Sequence, residues 1–122
     1  MNQTRKRILF VDDEPAVLKG LANVLRQQRD RWDMTFVVGG GKAIEVLRAG
    51  RFDAVVTDMR MPGIDGASLL TWVKHAAPHT VRVMLTGSVD LPDIDADVIL
   101  AKPCDANVLR SHLDRLLNAS EA

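Results

Sequence analysis

Three carboxylates follow two short apolar runs of the sequence, at the point where each run ends. Asp12 and Asp13 come directly after ILFV, and Asp58 comes directly after AVVT. Lys102, which precedes Pro103, comes straight after VILA. Two carboxylates about 5 Å apart repel one another by ~3 kcal/mol at an effective dielectric constant of about 20, and a divalent cation removes that cost. These residue types therefore indicate a site for a hard metal ion and a phosphoryl group.

Oxygen ligands in a chain that lacks a Cys/His cluster favour Mg²⁺ over zinc. A carboxylate can also attack phosphorus and form an aspartyl-phosphate. The charge on a phosphoryl group in transfer is best stabilised by a metal on one side and a cation on the other. Asp13 with Mg²⁺ can serve one side and Lys102 the other, and the hydroxyl of Thr86 can donate to a phosphate oxygen.

Apolar runs and helical patterns alternate along the chain and predict the elements that position these groups. The predicted strands are 8–11, 34–38, 52–57, 81–85 and 98–101. Helices are predicted from Pro15 to 25, over 42–49, from 65 or 66 to 77, and over 106–118 after a cap at Asp105, with a frayed tail NASEA. A repeated strand–helix order predicts a parallel sheet with helices on both faces, and such sheets bind ligands at the carboxyl ends of their strands.

The connection between the fourth and fifth predicted strands is unusually short. It spans residues 86–97 and contains SVDLPDIDAD, with a central proline and four aspartates. A parallel crossover needs roughly 10–12 residues including its helix. We therefore expect no more than one or two helical turns in this connection.

The bulk properties favour one ordinary globular domain. The chain has 122 residues, 47% of them hydrophobic and 26% charged, with 16 basic residues balancing 16 acidic ones. This balance provides no overall field for nucleic acid or a membrane surface. No apolar run approaches the roughly 20 residues that span a bilayer. Cys104 is the only cysteine and cannot form an internal disulfide, which favours a reducing cytoplasm.

Over nearly its whole length the sequence resembles the receiver domain of two-component response regulators. The resemblance rests on ILFVDDEP, DAVVTDMRMPGIDG, VMLTG and LAKP. ILFVDDEPAVL and LAKPCD look most like receivers found with HD-related output domains, the HDOD type. It implies a single receiver domain over residues 1–122. The implied fold is flavodoxin-like and (βα)5, a doubly wound parallel five-stranded sheet with a shortened fourth helix.

The resemblance assigns roles to the residues at the strand ends. Asp58 would accept phosphate from the phosphohistidine of a histidine kinase. Lys102 would contact the phosphoryl group, Thr86 would be the switch hydroxyl, and Pro103 would follow a cis peptide bond. The groups placed around Mg²⁺ are Asp12, Asp13, Asp58 and the backbone carbonyl of Arg60.

Two departures from the family pattern concern the output route rather than the phosphorylation chemistry. Ile99 stands three residues before Lys102, where receivers often carry Tyr or Phe, and the chain has no Tyr. The short connection reduces the fourth helix, which belongs to the face by which receivers signal and often form homodimers. Arg60 and Ser88 occupy positions that tune dephosphorylation in the family.

The resemblance also implies partners: a sensor histidine kinase or phosphotransfer protein, and an output domain or effector protein, without direct contact to nucleic acid or membrane. The chain would not be an enzyme acting on an external metabolite. One alternative is a receiver-like interaction module that signals without phosphate, which Ile99 and the short fourth segment motivate. Another is a small Mg²⁺ phosphohydrolase, but Arg60 stands where such enzymes carry a second aspartate, and Glu14 is a poor substitute after Asp12.

Overall fold

The computed structural model describes residues 5–87 and 93–121. Its strands are β1 (Lys6–Asp12), β2 (Trp32–Val38), β3 (Ala54–Asp58), β4 (Val81–Thr86) and β5 (Val98–Ala101). All neighbouring pairs are parallel, in the order β2-β1-β3-β4-β5. β1 and β3 therefore lie side by side within the sheet, and β5 forms one edge.

Helices cover both faces of the sheet. They are α1 (Pro15–Leu25), α2 (Gly40–Ala49), α3 (Gly66–Ala76) and α4 (Ala106–Glu121), with a 3-10 helix at Arg26–Gln28. Leucines of α1 and α4 pack with Ile8 and Phe10 of β1 in one buried cluster. Ala43 of α2 and the apolar side of α3 pack with Leu9 and Val11 in a second cluster on the opposite face. The expected doubly wound, flavodoxin-like α/β fold is confirmed. None of the helices in the described part of the chain is long and apolar enough to cross a membrane.

Strand β2 and helix α2 both begin earlier than the sequence pattern indicated. β2 begins at Trp32 rather than at 34, because Trp32 pairs with Lys6 in the parallel ladder and is itself buried. α2 begins at Gly40 rather than at 42. Gly39 turns the chain with φ of 86°, a conformation that glycine adopts without steric cost, and Gly40 lies against Ile64 with no room for a β-carbon.

The last helix is longer than expected. α4 continues to Glu121, whereas the sequence pattern placed its end at 118 and a frayed tail after it. Leu109, Leu113 and Leu117 of this helix are buried and form one stripe at helical spacing. The apolar stripe reaches residue 117, and the final turn continues from it.

The connection between β4 and β5 contains no helix in its described part, residues 87 and 93–97; residues 88–92, including Ser88, lie outside the described residues. Polar contacts hold it instead. Asp95 accepts a hydrogen bond from the Thr71 hydroxyl at 3.0 Å and pairs with the Lys74 ammonium at 3.1 Å. We call these three residues the Asp95 clasp. Arg82 of β4 adds a bond from Nε to the Asp95 carbonyl at 2.7 Å. The described part of the connection is thus fastened to α3 and β4.

Candidate functional site

The topology brings the predicted site residues to one edge of the sheet. Asp12 is the last residue of β1 and Asp58 the last of β3, and these two strands pair directly. Thr86 ends β4, and Lys102 follows β5. Because all the strands are parallel, their carboxyl ends lie together at the same edge.

The three acids form a compact cluster. Asp12, Asp13 and Asp58 can each offer a carboxylate oxygen such that all three atoms lie within 4.8 Å of one another. Asp12 is buried, with 3% of its surface exposed, whereas Asp13 and Asp58 are half-buried. An all-oxygen donor set with carboxylates open to solvent suits Mg²⁺, which retains several waters and takes one or two carboxylates plus phosphate oxygens.

Lys102 reaches into this acidic cluster. Its Nζ lies 3.0 Å from Oδ1 of Asp58 and 3.6 Å from Oδ2 of Asp12. Burial lowers the pKa of Lys102, but the hydrogen bond and negative charge of Asp58, together with Asp12, outweigh it, so the net pKa is raised. The amine therefore stays a cation at neutral pH and can balance negative charge in the pocket.

Asp12 has an environment unlike that of its neighbours. Burial raises the pKa of Asp12, and the nearby charge of Asp58 raises it further. The hydrogen bond from the Glu14 amide, 3.0 Å from Oδ1, and the charge of Lys102 act in the opposite direction. The net pKa is raised, so the ionised carboxylate is less favourable here than in water, and a bound cation would offset that cost.

An open cavity of about 450 Å³ lies above the cluster. Four residues whose side chains were predicted to form the site line this cavity: Asp13, Asp58, Thr86 and Lys102. Arg60, which was predicted to contribute its backbone carbonyl, lines it as well. The full lining is Asp13, Glu14, Asp58, Arg60, Thr86, Gly87 and Lys102. Asp12 is not in the lining. Glu14 and Gly87 were not predicted as part of the site, although each directly follows a predicted site residue.

The loop after β3 is closed tightly onto the end of that strand. The Gly66 amide donates to the Met59 carbonyl at 2.8 Å, and Asp65 caps α3 by accepting a hydrogen bond from the Ser68 amide at 2.8 Å. The Thr57 hydroxyl donates to the Asp58 carbonyl at 2.9 Å. Thr57 and Gly66 were not predicted as part of the site; Gly66 was expected only as one of two possible starts of the third helix, and it lies in the motif MPGIDG.

Two further predictions concern the strand that carries Lys102. The peptide bond between Lys102 and Pro103 is cis, as expected. Ile99 lies on the edge strand β5 with 42% of its surface exposed. Its side chain is on the same face as the second cluster, since its ladder partner Met84 belongs to that cluster. An aliphatic side chain thus stands where receivers often have an aromatic one.

Comparisons with known proteins agree with the fold. A phospho-accepting α/β signalling domain is the class that this sheet, acid cluster and lysine define, and a family model for the response regulator receiver domain matches residues 8–114. The chain belongs to the response regulator receiver domain family.

The relatives are longer proteins. The chain is 29% identical, over 98% of its length, to transcriptional regulatory protein GlrR of Escherichia coli strain K12, and covers 28% of that protein. It is 31% identical over 99% of its length to DNA-binding response regulator MtrA of Mycolicibacterium smegmatis, and covers 54% of it. The chain therefore spans only part of the length of these relatives.

A solved structure matches over nearly the whole of both chains. The signal receiver domain of an HD domain-containing protein from Pseudomonas fluorescens Pf-5 superposes with a TM-score of 0.89 at 27% identity, covering 96% of this chain and 98% of the other. The fold of this solved receiver domain is thus matched over nearly the whole of this chain, even though the connection before β5 is short.

Proposed function

We propose that this chain accepts a phosphoryl group on Asp58 from the phosphohistidine of a sensor histidine kinase or a phosphotransfer protein. A carboxylate oxygen of Asp58 attacks phosphorus, the bond from phosphorus to the imidazole nitrogen breaks, and that nitrogen keeps the electron pair. With a proton on its other ring nitrogen, the imidazole leaves as a neutral group. The product is an aspartyl-phosphate whose added charge changes the surroundings of Asp58. Family membership and the position of Asp58 in the cavity support this assignment.

Different residues around Asp58 would stabilise negative charge on different sides of the phosphoryl group. Asp12, Asp13 and Asp58, with the backbone carbonyl of Arg60, would hold Mg²⁺. When bound, the metal supplies positive charge that neutralises the acids and the transferring phosphoryl oxygens. Lys102 supplies a second positive charge from the β5 side, and Thr86 would be the hydroxyl that responds to the phosphate.

One observation carries this proposal: the Lys102 ammonium lies 3.0 Å from Asp58, whose carboxylate forms with those of Asp12 and Asp13 a cluster of oxygens within 4.8 Å of one another. A single carboxylate is thereby placed next to a fixed cation and next to the donor set of a hard metal. This is the arrangement that phosphoryl transfer to a carboxylate needs, because charge must be stabilised on two sides of phosphorus.

The direct test is phosphorylation with acetyl phosphate and Mg²⁺, followed by intact-protein mass spectrometry. The wild-type protein should gain one phosphoryl group, and Asp58→Asn should gain none. Asp33→Asn is a matched control, since it removes a carboxylate of β2 that forms an exposed ion pair with Arg7 of β1, at the end of the sheet opposite the cavity. Phosphorylation of Asp58→Asn, or failure of the wild type to react, would refute the assignment.

The two alternatives have less support. A phosphate-independent module would not need Lys102 and the acid cluster brought together, and one of the similar proteins is a DNA-binding response regulator. A phosphohydrolase would show repeated turnover on small phosphate esters. We propose instead that the chain is not an enzyme for an external metabolite, and that any catalysis is confined to gain and loss of its own phosphoryl group.

The proposed function also implies partner proteins and a cellular location. We propose that residues 1–122 form one receiver domain that acts in the cytoplasm on an output domain or an effector protein, with a homodimer as one candidate assembly. The lone cysteine and the kinase partner support the location. The match to a receiver from an HD domain-containing protein supports an HD-related output. The balanced net charge supports the absence of direct nucleic-acid or membrane binding.

A further inference from the structure

Thr57, the residue before the proposed phospho-acceptor, has a buried hydroxyl with an unusual partner. Its side chain is completely buried, and Oγ1 donates to the backbone carbonyl of the next residue, Asp58, at 2.9 Å. A buried hydroxyl needs an acceptor, since leaving it unpaired is costly. Here the acceptor belongs to the main chain of the residue that would carry the phosphoryl group.

Gly66 lies close against the same carbonyl from another side. A β-carbon at position 66 would overlap the Asp58 carbonyl oxygen and come within 2.9 Å of Met59 Cα. The Gly66 amide also donates to the Met59 carbonyl at 2.8 Å. The peptide unit between Asp58 and Met59 is therefore confined by a hydrogen bond from Thr57 and by the backbone of α3.

This peptide unit controls two parts of the site. Because a peptide is planar, fixing its carbonyl fixes ψ of Asp58 and the direction in which the chain leaves toward Arg60. The rotamers open to Asp58 depend on its backbone angles. The carboxylate of Asp58 and the carbonyl of Arg60, which would both face Mg²⁺, thus depend on one constraint.

We infer that Thr57 is a positioning residue for the phosphoryl-accepting site, acting through its hydrogen bond to the Asp58 carbonyl, against which Gly66 also lies. The inference rests on the proposed function, because the metal and phosphoryl ligands are those named above. Thr57 touches neither ligand. Its hydroxyl sets the geometry in which Asp58 and the following loop meet them.

Thr57→Val tests the hydroxyl, since valine has nearly the same shape. Thr80→Val is a matched control: Thr80 is also buried and its hydroxyl also donates to a carbonyl, that of Phe52, at 2.8 Å, but at the opposite end of the sheet. Binding of Mg²⁺, and of beryllofluoride with Mg²⁺, is measured by NMR titration. We expect about threefold to tenfold weaker binding in Thr57→Val alone, the ratio that corresponds to losing one hydrogen bond. Both variants should lose similar stability to urea.

Conservative variants separate positioning from packing. Thr57→Ser keeps the hydroxyl and should bind Mg²⁺ like wild type. Thr57→Ala, in which the side chain is about as small as serine but lacks the hydroxyl, should bind Mg²⁺ as weakly as Thr57→Val. Comparison of the serine and alanine variants also tests the inference if Thr57→Val does not fold. In the metal-free proteins, the NMR chemical shift of the Met59 amide should differ from that of wild type in Thr57→Val and Thr57→Ala. In Thr57→Ser it should be the same as in wild type.

The outcomes also distinguish this inference from the proposed function. If wild type binds neither Mg²⁺ nor beryllofluoride, the proposed function fails and the inference fails with it. If wild type binds both and the variants without a hydroxyl bind equally well, only the positioning role of Thr57 is overturned. Equal weakening in Thr57→Val and Thr80→Val would likewise overturn it, because a general loss of stability would then explain the effect.

Discussion

The ammonium of Lys102 lies 3.0 Å from the carboxylate of Asp58, although Lys102 follows the edge strand β5 and Asp58 ends β3. Strand β4 lies between the two. The lysine side chain therefore reaches across a neighbouring strand to meet the acid. Its cation is directed at the cavity by the sheet topology rather than by a local turn.

Removal of that cation should separate phosphoryl transfer from metal binding. In Lys102→Gln the rate of phosphorylation by acetyl phosphate should fall by about 10²–10³, the usual effect of losing one preorganised donor at the reacting centre. Mg²⁺ affinity should stay the same or rise, since a competing positive charge has gone. Rates are measured by quenched mass spectrometry and affinity by titration. Lys19→Gln on the exposed side of α1 is the control. A parallel loss of rate and Mg²⁺ affinity would contradict this division of roles.

Asp12 should reduce stability at neutral pH when no metal is bound. Its pKa is raised by burial, so the folded protein binds the proton more tightly than the unfolded chain does. The free energy of unfolding therefore falls as pH rises through this pKa. Asp12→Asn keeps an acceptor for the Glu14 amide and should stabilise the metal-free protein by about 1 kcal/mol or less at pH near 7.

Urea denaturation with and without Mg²⁺ checks the Asp12 prediction. Wild type should gain stability on adding Mg²⁺, because a ligand that binds only the folded state stabilises it by mass action. Asp12→Asn should gain much less. If the variant is less stable than wild type without metal, the attraction of Lys102 outweighs the burial of Asp12, and the sign of this prediction is wrong.

Gly66 should tolerate no side chain. In Gly66→Ala the β-carbon meets backbone atoms of Asp58 and Met59, which cannot rotate away, so we expect a loss of about 1–3 kcal/mol of stability, as in overpacked cores. Gly20→Ala is the natural comparison, since nothing lies within 4 Å of a β-carbon there and the residue is inside α1. That substitution should stabilise the protein by about 0.5–1 kcal/mol. Similar effects of the two substitutions would show that position 66 is not tightly enclosed.

The Asp95 clasp should hold the connection before β5 without affecting the site. Hydrogen bonds from Lys74 and Thr71 lower the pKa of Asp95, so its contribution to stability is present at neutral pH and is lost as pH falls through that lowered pKa. In Asp95→Ala the Asp97 amide, which donates to the Arg82 carbonyl, should exchange faster with deuterium. Asp93→Ala, at an exposed residue of the same connection, should leave exchange unchanged. Slower Mg²⁺ or beryllofluoride binding in Asp95→Ala would show that the clasp reaches the site.

Much of the site could be predicted because strand ends are easy to recognise in this sequence. Short apolar runs followed at once by Asp12, Asp58 or Lys102 fixed both the elements and the edge at which they meet. The element starts were less predictable. In the sequence, Gly40 indicates only the end of a strand. The structure shows why the helix begins with a glycine, because a β-carbon at this position would overlap Ile64.

Other features depend on contacts between distant parts of the chain. The hydrogen bonds from Thr71 and Lys74 to Asp95 join residues more than 20 positions apart, so no local sequence pattern predicts the Asp95 clasp. Thr57 shows a different limit. Threonine is common in strands for its shape alone, and its hydroxyl acquires a role only from the direction of a neighbouring carbonyl.

The strand order has a consequence for motion. The acids Asp12 and Asp58 end neighbouring strands inside the sheet, whereas Lys102 follows a strand of four residues that pairs on one side only. Edge elements open locally at a lower free energy than central ones. Brief opening at this edge would withdraw the lysine while the acids stayed in place. We therefore expect the lifetime of an aspartyl-phosphate to depend on how often this edge of the native sheet opens, an event that costs less free energy than global unfolding.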